Sequence, residues 1–170
     1  MSVHLLFQTM TEDRKKSTDP DYVLIAEFGL KEKAEGLRLE VEKCGYKAHT
    51  HFLTLENMEE VLKDIKGNCD SISETLFLNL CDGTDDGEGG DGYPGLSLVK
   101  LLKDLGLNYT GSDAAFYECS TSKVLLKKAM LAQNVSTSAY VEIRKNTIDK
   151  DVIKAIEAVG FPLFVKLTIS

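Results

Sequence analysis

The sequence contains no apolar run approaching the length of a membrane span, no pair of cysteines in a C-x-x-C arrangement and no surplus of basic residues. Each absence removes a class of protein. A helical span needs roughly 20 consecutive apolar residues. The four cysteines, Cys44, Cys69, Cys81 and Cys119, stand far apart, which excludes a zinc ribbon or a thioredoxin-type pair and favours a reduced, intracellular chain. A formal charge of −7 argues against nucleic acid and against an acidic membrane face as partners, since both select clustered lysine and arginine. No secretory signal is legible: the apolar run Val3 to Phe7 is too short, and Glu12 to Asp21 is strongly polar. The expected setting is the cytoplasm.

What is present is a globular chain of 170 residues, enough to bury about two-thirds of its unfolded surface in one domain or one and a partial second. Its organising stretch runs from Leu76 to Lys123. There the apolar strand Leu76-Phe77-Leu78-Asn79-Leu80 empties into an acidic, glycine-crowded loop from Asp82 to Gly95, after which a helix begins. A strand that opens into such a loop and re-enters a helix is how open α/β sheets place a ligand crevice beyond the strand's carboxyl end.

Three local motifs can be tested against that loop. An EF-hand starting at Asp82 would use Thr84, Asp86 and Gly87 and then needs a bidentate glutamate where Tyr93 stands. A P-loop needs Gly-Lys-Ser/Thr, which is missing. The stretch Gly87-Glu88-Gly89-Gly90-Asp91-Gly92 does match G-x-G-x-x-G in letters. In the dinucleotide fold, however, the first glycine sits at the strand end and the last lies in the helix. Here several residues precede Gly87, Tyr93-Pro94 delays the helix, and Asp82, Asp85, Asp86, Glu88 and Asp91 would repel a pyrophosphate. A dinucleotide-binding Rossmann domain therefore stands as a lesser alternative, beside a plain solvated loop.

Taken in order, Met1 to Asp21 reads as a mobile arm, with a short strand at His4 to Phe7 and a polar stretch from Thr11 to Pro20. Val23-Leu24-Ile25-Ala26 reads as a buried strand closed by Gly29, and Lys31 to Cys44 as a helix with Ala34, Leu37 and Val41 on one face. Tyr46 to Leu53 is a second strand from which His49 and His51 project to one side. Two histidines on one strand face could bind a metal, but no third ligand lies near in sequence, so packing or surface roles are favoured and no metal ligand is assigned. Glu56 to Ile65 is a short helix. The alternation of strands and helices gives an α/β fold with an open parallel sheet and flanking helices.

Beyond the acidic loop, Leu96 to Leu105 is an amphipathic helix and Asn108-Tyr109 an edge piece leading into the turn Thr110-Gly111-Ser112-Asp113. Ser120, Thr121 or Ser122 caps a helix carrying Lys123 in its first turn. A lysine there opposes the helix dipole, unless a phosphate faces it. Ser138 to Arg144 reads as a strand, Thr147 or Asp149 caps a helix through Val159, and Leu163 to Leu167 reads as a final strand.

Four blocks in this order resemble the D-alanine–D-alanine ligase-like branch of the ATP-grasp enzymes: Leu78 to Gly83 through Asp91 to Gly95, Tyr109-Thr110-Gly111-Ser112, the spacing from Ser112 to Lys123, and Phe161 to Lys166. The resemblance implies a Rossmann-like pre-ATP-grasp domain over residues 22–113, after an arm over residues 1–21, with an incomplete start of an α+β ATP-grasp lobe over residues 114–170. It further implies that Lys123 and Lys166 contact nucleotide phosphates, that Asp82, Gly83, Asp91, Gly92, Tyr93, Gly111 and Ser112 border the substrate crevice, and that ATP and Mg2+ serve the complete enzyme. In such an enzyme a carboxylate is phosphorylated and then attacked by an amine.

The sequence also departs from that pattern. The family places a glycine-serine loop with a substrate-binding glutamate after its first strand. With the first strand taken to end at Phe28-Gly29, the next residues are Leu30-Lys31-Glu32. Asp82 stands where D-alanine enzymes commonly carry histidine, and Ser122 where an aspartate usually precedes the first lysine, which puts D-alanine as substrate in doubt. The adenine pocket, phosphate lid and magnesium carboxylates of the family would lie past Ser170, so the isolated polypeptide is expected to be catalytically inactive. The expectation is thus a piece of an ATP-dependent ligase acting on small carboxylates and amines. A non-catalytic binding or regulatory domain of the same fold is the alternative, and the oligomeric state, a dimer included, is left open.

Overall fold

The computed structural model describes residues 1–84, 91–143 and 148–168. The chain divides into two compact units, Met1–Ala114 and Ala115–Ser170. The first contains a three-stranded parallel sheet in the order β2-β1-β3, formed by β1 (Ser2–Gln8), β2 (Lys47–Leu53) and β3 (Thr75–Asn79). With helices flanking this sheet, the open α/β architecture expected from the alternation of elements is the one observed.

The first strand is not the one the composition pointed to. β1 is the central strand, paired in parallel with both β2 and β3, and Val3 to Phe7 are all buried. Residues read as a mobile arm therefore form the middle of the sheet. A strand covered on both faces is apolar without alternation and can be short. The following polar stretch is also ordered: α1 (Glu12–Ser17) is capped by Thr11, whose Oγ1 accepts from the Arg14 N–H.

Val23-Leu24-Ile25-Ala26, expected as a strand, lies inside α2 (Pro20–Lys43). The reason is at its start: the Asp19 carboxylate accepts from the N–H groups of Asp21 and Tyr22 at 2.9 and 3.1 Å, and Pro20 supplies a helical φ at the first position. Leu24, Ile25 and Phe28 are correspondingly exposed, not buried. The C-terminal half of α2 behaves as expected, with Ala34 buried and Leu37 and Val41 packed on the sheet face made by Val3, Leu5 and Phe7.

The opposite sheet face carries the main core. Leu6, Leu53 and Phe77 pack there against Leu62 and Ile65 of α3 (Met58–Asn68) and Leu98 and Leu102 of α4 (Leu96–Asp104). Tyr109 adds a parallel bridge beside Phe77.

The second unit holds most of α5 (Ala114–Thr121), then α6 (Lys123–Ala132) and α7 (Lys150–Val159). Ser122 is the cap of α6, its hydroxyl accepting from the Leu125 N–H at 3.3 Å. Asp149 caps α7, while Thr147 and Arg144 lie outside the described residues. The strands read at Ser138 to Arg144 and at Leu163 to Leu167 do not form among the described residues. Instead the Lys127 ammonium gathers the first segment, donating to Thr137 Oγ1, Ser138 O and Ser138 Oγ at 3.0, 2.8 and 2.6 Å. Phe164, Val165 and Leu167 are 89, 94 and 82% exposed.

Candidate ligand crevice at the strand ends

The parallel sheet aims the carboxyl ends of β1 and β3 at one edge, and the acidic loop grows out of that edge. Leu80 N–H donates to Leu6 O at 3.0 Å, Cys81 N–H to Asn79 Oδ1 at 3.1 Å, and Asp82 N–H to Gln8 Oε1 at 2.8 Å. The departure of the loop is thereby stitched to the end of β1. Asn79 N–H also donates to Thr110 Oγ1 at 3.1 Å, which brings the turn carrying Gly111 and Ser112 to the same edge.

The loop is clasped at its neck. Thr84 N–H donates to Asp91 Oδ1 at 2.8 Å, and Asp91 N–H returns to Thr84 Oγ1 at 2.9 Å. Asp91 Oδ1 also accepts from Tyr93 N–H at 3.0 Å, so this carboxylate is occupied in shaping its own turn. Gly92 adopts φ 73°, a conformation that costs a β-carbon dearly. A β-carbon on Gly83 would overlap the carbonyl of Tyr93, so the two arms of the neck meet there backbone to backbone. Within the dinucleotide-like motif, Gly87, Gly89 and Gly90 lie outside the described residues, as do Asp85, Asp86 and Glu88.

Beside the neck lies a cavity of about 220 Å³. Its base is the chain leaving β1, from Gln8 to Met10, and α2 and Tyr93 form its walls. The Glu27 carboxylate on its edge is ion-paired with Lys15 at 2.6 Å, and Lys15 also holds Glu12 at 2.7 Å. The Lys15 hydrogen bond keeps Glu27 below the usual carboxylate range, and the bonds to Glu12 and Glu27 raise Lys15. Cys81 adjoins the loop but is chemically quiet, since burial and the neighbouring Asp82 charge push its thiol up to about 12.

Because β1 is the true first strand, the loop after it is Thr9-Met10-Thr11, with Glu12 next. The segment after Phe28-Gly29, expected to hold that place, is instead the middle of α2. The acidic residue following the first strand is Glu12, which the polar composition of its neighbours had assigned to a solvent arm. Gln8, Thr9 and Arg14 were missed for the same reason, and Glu27 because its segment read as a buried strand and not as part of α2.

In the second unit, Lys123 N–H donates to Thr168 O at 2.8 Å. The start of α6 thus meets, at Thr168, the segment that carries Lys166.

The histidines form a separate group on the α3 side of the sheet. His4 joins the strand pair His49 and His51: its Nδ1 lies 2.9 Å from His51 Nε2, and its ring is 4.9 Å from that of His49. Burial, then His51 and His49, lower His4 to about 4. The third histidine arrived from a neighbouring strand, yet the two closest nitrogens face each other in a hydrogen bond. Among the described residues no group of three or more His, Cys, Asp or Glu side chains is arranged to hold a metal, and no helix is long and apolar enough to cross a membrane.

Over 80 residues, 47% of its length, the chain is 34% identical to a D-alanine–D-alanine ligase of Xylella fastidiosa, of which the match covers 26%. Over 66 residues, 38% of its length, it is 35% identical to a D-alanine–D-alanine ligase of a Polaromonas species, covering 20% of that protein. Over 80 residues, again 47%, it is 30% identical to a D-alanine–D-alanine ligase of Xanthomonas axonopodis pv. citri, covering 25%. The matched stretches thus span 20 to 26% of the length of these curated relatives. No family profile and no solved structure matches the chain. The three likenesses support a relationship to ligases.

Proposed function

We propose that this chain supplies the substrate-side region and the first phosphate-contacting lysines of an ATP-dependent carboxylate–amine ligase of the ATP-grasp kind. In the reaction, a carboxylate oxygen attacks the γ-phosphorus of ATP and ADP departs. The amine then attacks the acyl carbon, phosphate leaves, and a C–N bond remains. The crevice at the ends of β1 and β3, bordered by Asp82, Gly83, Asp91, Gly92, Tyr93, Gly111 and Ser112, holds the two organic substrates. Lys123 and Lys166 meet the nucleotide's phosphate tail as point charges.

The observation that carries this reading is the hydrogen bond from Lys123 N–H to Thr168 O. It brings the helix start bearing one lysine next to a residue two positions after the other, and in this reading both ammonium groups serve one polyanion. A bound phosphate would also account for a lysine at the first position of α6, where the helix dipole is unfavourable to it. Magnesium would offset phosphate charge, but the described residues offer it no cluster of ligands. No step is therefore assigned to it.

Calorimetric titration with ATP tests the assignment. Lys123→Ala and Lys166→Ala should each weaken binding about tenfold, in keeping with loss of a charge-assisted contact of ~1.4 kcal/mol or more. Unchanged affinity in both variants would remove the nucleotide assignment. A binding domain without catalysis is the second reading. It is favoured by the placing of the whole cavity within Met1–Ala114, and ligand binding without any response to ATP would select it.

A further inference from the structure

The cavity at the end of β1 is defined mainly by one stripe of α2. Tyr22, Ala26 and Leu30 follow at successive turns on the same helix face. Met10, only 8% exposed, closes the base, and Tyr93 stands on the loop side. Of these only Ala26 is small, and its methyl group is what leaves the space open. The Glu27 charge on the edge is compensated by Lys15 at 2.6 Å, so an apolar group can enter without stripping water from an unpaired carboxylate.

Polar groups gather at the strand end. Gln8 uses its Oε1 to accept from Asp82 N–H at 2.8 Å. Its amide N–H groups and the Thr9 hydroxyl have no partner among the described residues. Donors at one end and an apolar stripe beyond them suit an amphiphilic small molecule with a carboxylate head and a hydrophobic side chain.

The volume decides how large that side chain is. A cavity of about 150 Å³ accepts benzene, whereas drug-sized ligands occupy pockets from about 300 Å³ upward. At about 220 Å³ this one matches a branched or aromatic side chain. A methyl group would leave most of the walls without contact.

We infer that the β1-end cavity is a specificity pocket for an amino acid with a branched-aliphatic or aromatic side chain, with Ala26 as the residue that admits it and Tyr22, Leu30 and Tyr93 as its walls. This rests on the ligase reading for the headgroup chemistry, while the side-chain preference comes from the cavity alone.

Isothermal calorimetry of the full chain with alanine, leucine and phenylalanine, each as both enantiomers, tests it. Leucine or phenylalanine should bind at least about tenfold more tightly than alanine, since each methylene in an apolar pocket is worth about ten- to 200-fold. Ala26→Phe should abolish that preference while its melting temperature reports an intact fold. Leu30→Ala, which enlarges the cavity, should weaken leucine more than alanine. Equal binding of alanine and phenylalanine, unmoved by Ala26→Phe, would overturn the specificity inference and leave the ligase reading standing. Absence of binding by every amino acid overturns the pocket assignment. If ATP binding is also unaffected by Lys123→Ala and Lys166→Ala, the ligase reading falls with it.

Discussion

The Arg14 guanidinium lies 4.3 Å from the centre of the Tyr93 ring and donates to the carbonyl of Asp91. A short helix leaving β1 thereby holds the neck of the loop leaving β3. Arg14→Ala should cost about 0.5–1 kcal/mol for the ring contact at this exposed site, and the Tyr93 amide should exchange faster with deuterium. Arg14→Lys should recover only part of either, since an ammonium lacks the planar face that stacks.

Gly83 is constrained from the other side of the neck. Any β-carbon there meets the Tyr93 carbonyl, and backbone cannot swing away as a side chain can. Gly83→Ala should destabilise by about 1–3 kcal/mol in urea unfolding. A neutral result would mean that the two arms do not touch.

The histidine group predicts a pH dependence with a definite sign. His4 sits near 4, against an ordinary 6.5, and burial followed by His49 lowers His51 as well. Between those values the unfolded chain binds more protons than the folded one. The stability is therefore fully present above pH 6.5 and is lost as pH falls towards about 4, by up to about 1.4 kcal/mol per pH unit for each fully neutral ring. Urea midpoints taken from about pH 7.5 to about 5 should fall for the native chain. His4→Phe should flatten the slope.

Thiol reactivity should separate the cysteines. Cys44 is exposed, whereas Cys81 is buried with its pKa pushed to about 12. Iodoacetamide should label Cys44 in the native protein and reach Cys81 only on unfolding. Prompt native labelling of Cys81 would show that the loop base opens.

The α/β class was legible because the alternation survives even when one strand is misplaced. What failed was the choice between two apolar runs of similar length, Val3 to Phe7 and Val23 to Ala26. Local composition cannot tell a doubly covered strand from the exposed apolar half of a helix. The Asp19-Pro20 pair, a cap followed by a first-turn proline, was the signal that could have decided it. The place of the loop between β3 and α4 was readable from its glycines and carboxylates. Gln8, Thr9 and Glu27 were not, because their position depends on which strand lies beside β3. His4 likewise joined His49 and His51 through strand register, which no single segment reveals.

Amide chemical-shift mapping of the 15N-labelled chain reports on the strand-end crevice and the two lysines in one experiment. Addition of phenylalanine should move the Gln8, Thr9 and Tyr93 resonances, and addition of ATP should move Lys123 and Thr168. Shifts confined to other parts of the chain, or no shift with either ligand, would contradict a ligase crevice at the strand ends and a nucleotide tail at the two lysines.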